Sequence, residues 1–192
     1  MIRKSFLSVL AIFCVAGCTT VPLSSMVKLS SVDMGSTAPE AIRVAYITPH
    51  VLRVKQGDLF MNLRLKSNDG AYDIQKKLDL LLDETPPPPN VFASKGPEED
   101  VHILKLRPED VVLFRNLQKG VNEAKAAGRK GSLEINFGSK ACAEKPIIGP
   151  VMISAFIKTS ELSDYILLVN KANVTELAKQ AGEDPVVKPC GK

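Results

Sequence analysis

Leu59-Phe60-Met61-Asn62-Leu63-Arg64-Leu65-Lys66-Ser67-Asn68-Asp69-Gly70 decides the architecture of this chain. Leu59, Met61, Leu63 and Leu65 alternate with Phe60, Asn62, Arg64 and Lys66, the period of a strand with one apolar face. Asp69-Gly70 then supplies the strongest short hairpin signal, because a tight turn between twisted strands needs backbone conformations that glycine adopts freely. The partner strand is expected over 72–83, with Leu78, Leu80 and Leu82 on one face.

Outward from this hairpin the same logic recurs. Ile42, Val44 and Tyr46 alternate with Arg43 and Ala45, and Pro49 ends that run. Pro86-Pro87-Pro88-Pro89-Asn90, with Gly96, Pro97 and Glu98-Glu99-Asp100, reads as an exposed loop over 85–100, since four prolines cannot donate to a ladder. A stiff loop is favoured there over a ligand for proline-recognition modules. Val101 to Leu106 is a strand. Pro108 with Glu109 and Asp110 opens a helix over 108–127, since proline fits the first turn and acids suit its positive end. Val111, Phe114, Leu117, Val121 and Ala124 form its apolar stripe, and Gly128 stops it.

Leu133, Ile135 and Phe137 mark another strand. The nearly continuous apolar run from Val151 to Ile157 predicts a central strand, and Tyr165 to Val169 is the last one. Asn173-Val174-Thr175-Glu176 resembles a capping box before a short helix ending near Ala181. No repeat is evident. About seven strands without a βαβ rhythm predict a mainly β or α+β domain: an antiparallel sheet or sandwich with one long packed helix and a short C-terminal helix.

Cys142 and Cys190 are the cysteines of this domain. Their pairing is expected in an oxidising compartment, and nothing resembles the Cys-x-x-Cys of redox enzymes. Such a bridge closes about 48 residues and contributes roughly 4 kcal/mol in the chain-entropy picture.

The N-terminus carries an address. Arg3-Lys4 precedes an apolar run from Phe6 to Val15, which at about ten residues is half of the roughly 20 needed to span a bilayer. Val15-Ala16-Gly17-Cys18 follows and resembles the lipobox of bacterial prolipoproteins. Small side chains admit the backbone to a peptidase, and the thiol takes the lipid. Cys14 fits worse because Phe13 is bulky. The resemblance covers residues 1–18 only. It implies a signal peptide over 1–17, a lipidated Cys18, and attachment to an envelope membrane. Thr19 follows Cys18, not Asp, which in a Gram-negative host implies the outer membrane, facing the periplasm. Several acyl chains make such an anchor effectively permanent, at about 0.8 kcal/mol per buried CH₂.

Residues 18–40 read as the lipidated end and a tether rich in Ser, Pro and Gly, and residues 41–192 as a single globular domain. A flexible tether of this length averages about 25 Å end to end. Met26, Val27, Leu29 and Val32 are apolar enough for part of it to dock on the domain.

Removing Arg3 and Lys4 lowers the formal charge of +4 by two, which gives no electrostatic case for nucleic acid. With no Trp and only 5% aromatic residues, stacking surfaces for sugars or bases are scarce.

Catalytic signals are weak. His50 and His102 lack a second ligand at metal spacing. No Gly-x-Ser-x-Gly elbow occurs, and Ser132 and Ser154 read as strand residues. The acids Glu98-Glu99-Asp100 and Glu183-Asp184 sit beside prolines and read as solvated surface, not as a glycosidase pair or calcium site. Arg115, Lys119, Lys125, Arg129 and Lys130 make one helix face basic, which reads first as an ordinary solvated face. No catalytic residue, metal site or cofactor is assigned.

The expected function is therefore that of a membrane-anchored envelope lipoprotein, more a non-enzymatic binding or assembly-accessory protein than an enzyme, with an envelope protein as partner. A hydrolase of envelope polymers, with Glu or Asp as acid and base, requires two carboxylates facing one cleft; His50 or His102 within about 4 Å of a buried acid in a pocket would favour it. A lipid- or small-ligand-binding module requires an apolar cavity between sheet and helix.

Overall fold

A computed structural model describes residues 32, 33, 35–86, 92, 95–181 and 186–191. The signal peptide, Cys18, Met26, Val27, Leu29, Pro87-Pro88-Pro89-Asn90 and Glu183-Asp184 lie outside the described residues.

Seven strands form one antiparallel sheet: β1 (Arg43–Pro49), β3 (Leu59–Ser67), β4 (Asp73–Leu82), β5 (Glu99–Leu106), β6 (Gly131–Ser139), β8 (Met152–Lys158) and β9 (Ile166–Asn173). Their order is β6-β3-β4-β5-β1-β8-β9. Two short strands, β2 (Leu52–Arg53) and β7 (Cys142–Ala143), pair separately. One long helix, α1 (Pro108–Ala126), and one short helix, α2 (Val174–Ala181), complete the fold. The mainly β, α+β architecture expected from the alternating pattern is the one present.

The hairpin that opened the sequence reading is β3–β4, in register from Phe60 opposite Asp79 to Lys66 opposite Asp73. Gly70 takes a φ of 73° in its turn. In β3 the alternation is complete: Leu59, Met61, Leu63 and Leu65 are buried. Leu59, Met61 and Leu63 join Leu78 and Leu80 of β4 and Phe114 of α1 in the main core. On the opposite face Phe60 lies across Gly138 of β6, whose missing side chain leaves room for the ring: a Cβ there would meet it at 2.2 Å.

α1 begins as the sequence predicts. Pro108 sits in its first turn, and Arg107 and Asp110 join at 2.7 Å across that turn. Gly128, at φ 72°, follows Ala127 and closes the helix. At the start of α2 the Asn173 carboxamide accepts the Thr175 N–H at 3.0 Å, as the capping pattern implies.

Three features differ from the sequence reading. The loop expected over 85–100 is shorter, because Glu99 and Asp100 already pair with Pro49 and Thr48 as the start of β5. Phe92, from that proline-rich stretch, is buried against Phe156 and Tyr165, with ring centroids 5.2 Å away in each case. It therefore covers the outer face of the sheet, where Ala45, Ile47 and Ile103 point. This is why β1 is buried on both faces from Val44 to Thr48, although its sequence alternates.

The second difference is the β2–β7 pair, too short to show a period. The Ala143 N–H donates to the Lys188 carbonyl, and the Ala143 carbonyl accepts from the Cys190 N–H. Cys142 and Cys190 form a disulfide with Cα atoms 4.9 Å apart, which pins the C-terminal tail to this small sheet. The third is the chain before β1. Residues assigned to the tether end in a turn of 3-10 helix, Pro39–Ala41, and Thr37 and Pro39 are buried.

Candidate functional site

The long helix lies over the inner face of the sheet, and its amphipathic stripe meets the leucines of β3. Phe114 closes that contact fully. Further along α1 the contact opens. A cleft of about 310 Å³ runs between Leu117 and Val121 of α1 and Leu63, Leu65, Ile74 and Ile135 of the sheet. That volume is at the small end of the range for ligand pockets, roughly 300–1,000 Å³. The walls are apolar because strand period and helix period each place their hydrophobic residues on the facing surface.

The cleft opens beside the pairing gap of the sheet. β4 pairs with β5 only from Leu80 to Leu82, so its segment from Asp73 to Asp79 carries a strand on the β3 side alone. Ile74, on that segment, is partly exposed and forms part of the cleft wall.

One rim is polar and charged. Tyr72, Lys125, Arg129 and Gly131 line it, where the end of α1 meets the β3–β4 turn and the start of β6. At Gly131 a Cβ would lie 2.5 Å from the Lys66 carbonyl and 3.1 Å from the Tyr72 hydroxyl. Only glycine lets the strands close up there without intruding on the rim.

The other rim is the chain that precedes β1. Val32, Asp33 and Gly35 line the cleft. Lys125 Nζ lies 3.0 Å from Asp33 Oδ1. The Asn122 amide donates to the Gly35 carbonyl at 3.1 Å, and the Gln118 amide donates to the Thr37 carbonyl at 2.6 Å. Arg115 pairs with Glu40. The Gly35 N–H, then Lys125, hold the Asp33 carboxyl below its ordinary range. Four residues over about three turns of α1 thus grip the segment from Asp33 to Glu40. The apolar tether residue Val32 docks as the sequence allowed, packing near Ile157, Leu162 and Ile166.

The basic helix face is largely answered by acids. Arg115 meets Glu40, Lys119 faces Glu123 at 3.9 Å, and Lys125 meets Asp33. Arg129 remains at the cleft rim, close enough to Asp69 to help keep that carboxyl below its ordinary range, after the Ser67 hydroxyl and Ala71 N–H.

His50 follows β1 and His102 lies in β5, and neither lines the cleft. His50 Nε2 lies 3.1 Å from Asp100 Oδ1, and Nδ1 lies 3.7 Å from Glu98 Oε2. His102 Nε2 lies 3.0 Å from the Thr48 hydroxyl. Burial lowers the His102 pKa, with Asp100 opposing it. Asp100 is half exposed and Glu98 nearly fully so. Neither acid beside His50 is buried. Among the described residues no group of three or more His, Cys, Asp or Glu is placed to hold a metal ion. Ser154 is buried, and its hydroxyl accepts the Lys171 N–H at 3.0 Å, a structural use.

A second hollow, on the outer face of β3, β4 and β6, is polar and shallow, with Asn62, Gln75, Lys77 and Glu134 around Arg64. Arg64 is committed to Asp73, at 2.6 Å. Among the described residues no helix is long and apolar enough to cross a membrane. The cleft residues Leu63, Leu65, Leu117, Val121 and Ile135 read in the sequence as ordinary core. Nothing in the spacing distinguishes a wall from a filled interior.

Compared with family models, curated proteins and solved structures, the chain matches none.

Proposed function

We propose that the protein is an envelope lipoprotein, held to the membrane by a lipid on Cys18, that acts as a non-enzymatic binding protein through the cleft between α1 and the sheet. The observation that carries this reading is the cleft itself. It is an open, apolar-walled space of about 310 Å³ where a helix stripe and a strand face would otherwise pack shut. In a Gram-negative host the location is the outer membrane, facing the periplasm. The grip of α1 on Asp33 to Glu40 supports this arrangement, because it brings the membrane-proximal chain to the mouth of the cleft.

Two measurements test it. Cys18→Ala should abolish palmitate incorporation and release the protein from the membrane fraction; retention of both removes the anchor from the account. A photocrosslinking residue at position 121, on the cleft wall, should capture one defined ligand in intact cells. The same residue at Val112, exposed on α1 and absent from the cleft lining, should not. Identical capture from both positions, or from neither, contradicts the site.

A further inference from the structure

We infer that the cleft takes a single acyl chain whose anionic head sits at the Arg129 and Lys125 rim; this rests on the binding reading above. The walls fix the apolar half of the ligand. Leu63, Leu65 and Ile135 on the sheet, with Leu117 and Val121 on the helix, present hydrocarbon to the cleft. Such a surface holds a flexible chain by the area it buries and is indifferent to its register.

The rim fixes the head. Lys125, Arg129 and the Tyr72 side chain stand together there. The C-terminal end of α1 carries about half a negative charge, which the Arg129 cation outweighs, while Lys125 is already paired with Asp33 at 3.0 Å. Asp33 opposes them from the other rim, but it is exposed and already bonded to Lys125 and the Gly35 N–H. Asp69 stands near Arg129, outside the cleft lining. A carboxylate or phosphate head would accept from Arg129 and share Lys125 with Asp33. A neutral head would leave these donors to water.

The test is titration of the full chain carrying Cys18→Ala, which removes any acyl group of its own, with dodecanoate, dodecanol and dodecyltrimethylammonium. Dodecanoate should bind about tenfold tighter than dodecanol, the scale of one charge-assisted hydrogen bond at a partly exposed rim. The ammonium should bind weakest. Arg129→Gln should erase most of the preference for the acid, Arg129→Lys should keep part of it, and added salt should shrink it. Val121→Trp, which fills the cleft, should abolish binding of all three.

Equal binding of acid and alcohol, both lost in Val121→Trp, would overturn the anionic head and leave the cleft as a binding site. No binding by any, or binding untouched by Val121→Trp, would overturn both. If dodecanoate binds the Cys18→Ala chain but not the acylated one, the cleft belongs to the protein's own lipid and the proposal fails.

Discussion

Asp33 and Lys125 form an ion pair at 3.0 Å that ties the first described residues of the chain to the last turn of the long helix. The pair is exposed, so its own contribution is small, about 0–1 kcal/mol. Its value is positional. It sits beside Gly35, whose absent Cβ would lie 2.7 Å from Asn122 Oδ1. The close approach lets Asn122 donate to the Gly35 carbonyl. Gly35→Ala should therefore break that bond and lower stability by about 1 kcal/mol, read in a denaturant melt. It should also raise proteolysis before Pro39. An unchanged melt and cleavage pattern would show that the segment is not held by α1.

Tyr46 predicts a change in the opposite direction. It is 4% exposed, packs edge-on to Phe137 at 6.0 Å, and its hydroxyl finds no hydrogen-bond partner among the described residues. Burial drives its ionisation well above the ordinary tyrosine range. Removing the hydroxyl loses no bond and ends its desolvation. Tyr46→Phe should raise stability by about 1 kcal/mol, visible as a higher Tm. A drop of that size would mean the hydroxyl has a partner.

Asp83 sets an acid limit on stability. Burial pulls its carboxyl upward, but the Thr85 hydroxyl and N–H, with Lys105 and Arg43, outweigh this and hold it below the ordinary carboxylate range. Arg43 lies 2.9 Å and Lys105 3.4 Å away. A lowered folded pKa means the contribution is complete above the unfolded value of about 4 and is lost as pH falls through the folded one. Asp83→Asn should cost about 2 kcal/mol at neutral pH, and the gap from the native chain should close below about pH 4. A gap independent of pH would show that the loss is one of packing. His102 adds a second acid-side loss. Its folded pKa is lowered, so its contribution holds above about pH 6.5 and fades below it.

The Cys142–Cys190 disulfide closes a separation of 48 residues. Cys190→Ser should lower stability by up to about 4 kcal/mol in the chain-entropy picture and free the tail at Lys188 to Cys190 for proteolysis. The seven-stranded sheet should persist, since Pro189 of the tail pairs with β7 of the separate small sheet. Loss of all β signal by circular dichroism would show that the tail holds more than the small sheet.

How far the sequence was legible follows from what carries a period. β3 announces itself because each of its leucines has a polar neighbour facing water, so alternation and burial coincide. The helix does so because Pro108, Glu109, Asp110 and Gly128 mark both ends. β1 is harder. Its outer face is covered by Phe92, which arrives from a proline-rich stretch with no period of its own. The pairing of Leu52 and Arg53 with Cys142 and Ala143 spans two residues per strand, too few for any pattern. The cleft was legible only as a conditional: a ligand-binding module would need a space between sheet and helix. Which of Leu117, Val121, Leu63 and Ile135 touch and which stand apart depends on how far β4 separates from β5 beyond Leu80, a long-range fact that no local spacing encodes.

The most direct measurement of the central claim is native mass spectrometry of the full chain extracted from its own membranes without delipidation. The account predicts a stoichiometric non-covalent adduct of an amphiphile on the native protein, absent from Val121→Trp. A native protein that carries no adduct, or an adduct equally retained by Val121→Trp, would contradict the cleft as the binding site.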